Sequence, residues 1–163
     1  MKKLLGTMLA IMVVTFLIGT IITVNYATAG ETARDGRFIA YDNGTVLDTK
    51  THLMWAAKDN GDYINWADAK SYCEKYRGGG FEDWRMPTQD ELAGLYDETK
   101  TYKSKRGTTI HLTKLIHLTN WVVWASETSF DRSASFSFFS GKRLWIKQNS
   151  YSDFCALPIR STK

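Results

Sequence analysis

Few side chains in this sequence are of types that could do covalent or metal chemistry, and they are scattered: Cys73, Cys155, His52, His111, His117 and Ser126. The two cysteines stand far apart, with no C-x-x-C and no paired histidine, which is not the spacing of a zinc site. His111 and His117 are six residues apart, so one helical face cannot present both, and there is no H-E-x-x-H. Ser126 precedes Glu127 outside any G-x-S-x-G and reads as a strand-edge serine. Asp59, Asn60 and Asp62 around Gly61 supply oxygens, yet they lack the full calcium-loop pattern and its closing glutamate, so a solvated turn is expected there. No catalytic residue, metal or cofactor is assigned. What remains is binding chemistry. Lys100, Lys103, Lys105 and Arg106 cluster in one stretch and Lys142, Arg143 and Lys147 in another, a set that could attract sulfate, phosphate or carboxylate polymers. The competing reading is a solvated, solubilising face.

The elements that must position these groups follow from periodicity and caps. Phe38, Ile39 and Tyr41 begin a strand that runs into the Asn43-Gly44 turn signal, and Val46-Leu47 with Leu53-Met54-Trp55 reads as a hairpin. Asn65 is suited to cap a helix from Trp66 to about Tyr76, with Trp66, Ala69, Cys73 and Tyr76 on one face; Gly78-Gly79-Gly80 stops it. Thr88 and Glu91 form a capping box for a second helix that ends near Tyr96 or Asp97, with Leu92 and Leu95 pointing inward. The Trp84-Arg85-Met86-Pro87-Thr88 block is read as scaffold, with Arg85 expected to find a carboxylate or backbone carbonyls. Residues 100–107 read as a polar loop and 110–118 as a short helix. Strands follow at 122–125, 134–139, 143–146 and 155–159, with Phe136, Phe138 and Trp145 assigned to the core. Strands, then two helices, then strands predict an α+β domain with antiparallel pairing.

Composition sets the bounds. The 163 residues are 44% hydrophobic and 13% aromatic, enough apolar surface for one globular domain and far more than a disordered tail carries. Residues 4–24 carry no charge, follow Lys2 and Lys3, and lead to Ala27-Thr28-Ala29. That is the layout of a secretory signal, and the run is also long enough to serve as an uncleaved membrane anchor. Either way the remainder is expected to be exported, to the periplasm, the cell surface or the medium, or held at the inner membrane through residues 4–24. Residues 30–36 read as a linker to a domain over 37–163. Beyond residue 29 the chain carries 19 basic and 17 acidic groups, a net +2. They are unevenly placed: residues 30–99 hold 8 basic against 14 acidic (−6), and 100–163 hold 11 against 3 (+8). Export also favours a Cys73–Cys155 disulfide, with two separate buried thiols as the alternative. Nucleic acid is a poor partner outside the cytoplasm, and no nucleic-acid fold signature is present.

Several blocks together carry a family resemblance: Asp42-Asn43-Gly44-Thr45-Val46-Leu47-Asp48 with Leu53-Met54-Trp55, Trp66-Ala67-Asp68-Ala69 with Tyr72-Cys73, Asp83-Trp84-Arg85-Met86-Pro87-Thr88 with Glu91-Leu92, then Trp124-Ala125-Ser126, Phe138-Phe139-Ser140-Gly141 and Leu157-Pro158-Ile159-Arg160. The sequence resembles the Lcl C-terminal domain family, named after a collagen-like bacterial adhesin, over nearly all of residues 37–160. The resemblance implies a C-type-lectin-like fold related to that of the formylglycine-generating enzymes. It also implies a disulfide from the first helix to the last strands, which Cys73 and Cys155 would supply, and adhesin-like binding of sulfated polysaccharides. The E-P-N, Q-P-D and W-N-D tripeptides of calcium-dependent lectins are missing from the sequence, so calcium-independent binding of an anionic glycan is expected. The alternatives are a membrane-tethered structural or protein-interaction module and a divergent formylglycine-generating-type enzyme. A fold alone does not choose among them.

Overall fold

A computed structural model describes residues 29–150 and 153–162; the signal or anchor read at residues 1–29 lies, but for Ala29, outside the described residues. In chain order the strands and helices are β1 (Glu31–Asp35), β2 (Phe38–Tyr41), β3 (Thr45–Asp48), β4 (Leu53–Ala56), α1 (Trp66–Lys75), α2 (Gln89–Leu95), β5 (Tyr102–Lys103), β6 (Thr109–Ile110), β7 (Val122–Ser129), β8 (Arg132–Ser137), β9 (Arg143–Lys147), β10 (Phe154–Cys155) and β11 (Ile159–Ser161). They form a five-stranded sheet ordered β1-β2-β3-β4-β11, a four-stranded sheet ordered β10-β7-β8-β9, and the small β5-β6 pair. Pairing is antiparallel except between β10 and β7. The fold is α+β, with two α-helices among the described residues, as the order of elements predicts.

Both helices begin where their caps dictate. The Asn65 side chain accepts from the Asp68 amide at 3.0 Å and starts α1. Thr88 accepts from the Glu91 amide at 3.2 Å while the Glu91 carboxylate accepts from the Thr88 amide at 2.8 Å, a complete capping box for α2. Arg85 adds two bonds to the same carboxylate, at 2.8 and 2.6 Å. Burial pushes the Glu91 carboxyl up, but the Arg85 guanidinium and the Thr88 amide outweigh it and leave the group below its ordinary range. Thus the carboxylate that caps the helix also holds the arginine of the block before it. Arg85 in turn exchanges backbone bonds with Ile159 and ties α2 to the first sheet.

The core divides into two clusters. The larger contains Phe38, Val46, Trp55, Leu92, Leu95, Val123, Ala134, Phe136, Phe138, Cys155 and Ile159; the smaller gathers Ala69, Cys73, Met86, Val122, Trp124, Phe154 and Ala156 beneath α1. Among the described residues every member of both clusters comes from residue 38 onward, so residues 29–163 contain a hydrophobic core of their own, the requirement for folding as a separate domain. Trp84 is buried with its indole N–H on the Gly78 carbonyl at 3.1 Å, and Trp124 stacks on Phe154.

The proposed cysteine bridge is corrected by this division. Cys73 and Cys155 are both free and buried. β10 runs beside β7 with Phe154 opposite Val122 and Cys155 opposite Val123. Alternation therefore sends Phe154 toward α1 and Cys73, and turns Cys155 to the other face, where its thiol donates to the Val122 carbonyl at 3.3 Å. A strand pair stands between the sulfurs.

Four local readings also change. Residues 31–35 form β1 on the edge of the first sheet instead of a linker, because their amides and carbonyls find β2 despite the polar side chains. Within 100–107, Tyr102–Lys103 pairs with Thr109–Ile110 as a hairpin. Residues 110–118 are not helical: the His111 amide donates to Phe138, the Leu118 amide to the Tyr102 hydroxyl, and Thr113 to Asp35 at 2.7 Å, so tertiary partners take up the groups a helix would use. The strand read at 155–159 is split between two sheets as β10 and β11, with Leu157 and Pro158 turning the chain between them.

Candidate functional site

The sequence-selected cations are delivered to three places. Lys100 follows α2 and pairs with Asp35 at the end of β1. The Lys100 ammonium, followed by the Thr113 hydroxyl, holds the Asp35 carboxyl below its usual range. This ion pair stands on the shared wall of two adjoining clefts of about 580 Å³ each, one running along Arg37, Gly94 and Tyr96, the other along Arg34, Thr101 and Lys114. Lys142, Arg143 and Lys147 lie at β9, where Arg143 pairs with Asp90 in the first turn of α2. Lys142 and Lys147 are exposed, with no carboxylate within ion-pair distance among the described residues.

The third place brings together most of what binding chemistry requires. After β5 the chain tightens through Ser104, whose amide donates to Thr108 at 2.8 Å; the Lys105 and Arg106 amides then donate to the Leu118 and Thr119 carbonyls at 3.0 and 3.1 Å. This places Lys105 and Arg106 on a cleft of about 320 Å³ completed by Gly61, Asp62 and Thr119. Arg106 is held on two sides: Nη2 donates to Asp62 Oδ1 at 2.8 Å, and the guanidinium lies 4.0 Å over the Tyr63 ring. Lys105 is exposed beside it, and Lys103 reaches the Thr109 hydroxyl at 2.7 Å.

The floor of this cleft is fixed by a buried carboxylate. Asp59 accepts the Thr119 amide at 2.6 Å, the Thr119 hydroxyl at 2.8 Å and the Gly61 amide at 2.9 Å, while Asn60 accepts from the Ala156 amide at 2.7 Å. The turn read as solvated is thus partly interior, with Asp59 only 7% exposed, and its oxygens are engaged with the protein's own donors. Behind it lie groups that burial keeps protonated: the Tyr102 phenol is raised, and the Cys155 thiol is raised first by burial and then by the Asp59 charge. Burial likewise pushes the Cys73 thiol up to about 12.

The charge asymmetry acquires a structural meaning here. Among the described residues, four ion pairs join the acidic half to the basic half: Asp35–Lys100, Asp62–Arg106, Asp90–Arg143 and Asp83–Arg160. The −6 and +8 halves are matched to each other across the fold, and only part of the basic excess remains for a partner.

Sequence reasoning selected Lys105 and Arg106 but missed Tyr63, Asp62 and Thr119 as their companions. No local signal marks them, because Asp62, Tyr63 and Thr119 lie 44, 43 and 13 positions from Arg106. It also missed Arg34 and Lys114 near Lys100, and it placed Trp145 in the core. Phe136 and Phe138 are buried as expected, whereas Trp145 is 42% exposed on the edge strand.

In comparison with known protein families, residues 44–160 match the model of the Lcl C-terminal domain. No curated protein matches the chain.

Proposed function

This chain belongs to the Lcl C-terminal domain family, and from that premise we propose that it is an exported, lectin-like binding domain, non-catalytic and calcium-independent, that takes an anionic surface glycan at the Lys105–Arg106 cleft. The carrying observation is the fixed Arg106. Its stack on Tyr63 and its bond to Asp62 leave further guanidinium N–H groups to fork onto a sulfate or carboxylate, and Lys105 supplies a second, mobile positive charge. An arginine already ordered loses little further freedom on binding. The cleft volume falls in the range of small-ligand sites, suited to one unit of a longer chain.

The non-catalytic part of the proposal is supported by the thiols. Both are buried and held in the protonated form, whereas nucleophilic sulfur chemistry needs an accessible thiolate. The calcium-independent part is supported by Asp59 and Asn60, whose oxygens already accept from amides and a hydroxyl. One observation favours a second reading, a tethered structural or protein-interaction module: the four ion pairs consume cations that a polyanion would otherwise meet. Chromatography of residues 29–163 on an immobilised sulfated polysaccharide with a salt gradient separates the two. Retention that salt reverses supports the glycan reading, and flow-through at low ionic strength supports the module.

A further inference from the structure

The far end of the second sheet combines three arrangements that folding alone disfavours. Phe130 is the first residue of the two-residue turn between β7 and β8, and its side chain is fully exposed. Its φ of 52° is left-handed, while Asp131 beside it is not among the positive-φ residues. A turn with positive φ only at its first central position ordinarily takes glycine, and a bulky side chain there is strained. Beside the turn, Arg132 and Lys147 face each other across β8 and β9, a like-charge pair in direct register. Trp145 completes the group. It stands opposite Ala134 on the same face, half-exposed, with the Arg132 guanidinium donating to its carbonyl at 3.0 Å.

We propose that this sheet end docks onto an anionic lipid bilayer, with Phe130 entering the headgroup–acyl boundary, Trp145 lying at the interface, and Arg132 and Lys147 meeting lipid phosphates. The shape selects a membrane over a protein pocket. A single ring on a projecting turn, without an apolar collar and flanked by Arg132 and Lys147, whose two charges exceed the one on Asp131 in the turn itself, suits a deformable apolar phase beneath a negative surface. The surface is separate from the Lys105–Arg106 cleft and does not depend on the glycan reading.

Co-sedimentation of residues 29–163 with phosphatidylcholine vesicles, and with vesicles mixing phosphatidylcholine and phosphatidylglycerol, tests the proposal. The expected result is binding to the mixed vesicles alone. Phe130→Gly, which relieves the backbone and so folds, should lower partitioning about tenfold or more. Lys147→Gln should lower it roughly fivefold, the effect of about one interfacial cation. Equal binding by wild type and Phe130→Gly would overturn the proposal, as would no vesicle binding by either. If wild type binds no vesicles and instead self-associates in a way Phe130→Gly abolishes, the turn is a protein interface and the lipid assignment fails.

Discussion

Cys73 and Cys155 lie on opposite faces of the β7–β10 strand pair, each in its own apolar cluster. The expected outcome in solution follows from this placement. Thiol titration of the unreduced protein should find two free groups after denaturation and almost none before it, since burial raises both pKa values and blocks access. A denatured protein with no titratable thiol would mean that the strands are arranged differently.

The Thr88–Glu91 box and the Arg85 pair predict a pH dependence of defined sign. Glu91 has a folded pKa below its unfolded value, so its contribution is fully present above the ordinary glutamate pKa and is lost as pH falls through the lowered folded value. Denaturant unfolding across the acid range should show that loss in wild type, with a smaller slope in Glu91→Gln. Thr88→Ala should cost about 1 kcal/mol, the usual magnitude for a lost N-cap. An unchanged acid profile in Glu91→Gln would remove the carboxylate from the account.

Phe130 predicts a stability gain. Glycine accepts a positive φ that phenylalanine does not, and the ring buries nothing against the protein. Phe130→Gly should therefore stabilise the domain by about 0.5–1 kcal/mol in urea unfolding, the left-handed strain relieved less the extra chain entropy of glycine. A loss of stability would show that the ring packs in solution.

Lys100 and Asp35 predict a coupled effect. Lys100→Gln leaves Asp35 with Thr113 as its hydrogen-bond partner and Lys114 as a more distant charge, and the carboxyl should titrate closer to its ordinary range. Two-dimensional NMR of the Asp35 side chain against pH reads this directly. An unshifted titration would assign the low value to the Thr113 hydroxyl and the Lys114 charge.

What could be read beforehand was local and what could not was tertiary. Asn65, Thr88 and Glu91 announce both helices because a cap is a contact within one turn. Alternation places Phe136 and Phe138 inside. Residues 110–118 defeat the same reasoning, since Leu112, Leu115 and Ile116 are spaced for a helix while Phe138, Tyr102 and Asp35 claim the groups a helix would need. The cysteine pairing failed through parity: two residues close to one strand pair can still face apart, and only the register of β10 on β7 decides it. The cations were visible as types, but whether each meets a carboxylate depends on contacts over 44 to 77 positions.

The proposed anion-binding site consists of Lys105 and Arg106. Its most direct test is the salt concentration at which residues 29–163 elute from an immobilised sulfated polysaccharide, compared between wild type and Lys105→Glu/Arg106→Glu, with Lys142→Glu as a charge-changing control elsewhere. Wild type should be retained, the double variant should elute early, and Lys142→Glu should elute close to wild type. Equal elution of wild type and the double variant, or flow-through of wild type at low salt, would rule out Lys105 and Arg106 as the site.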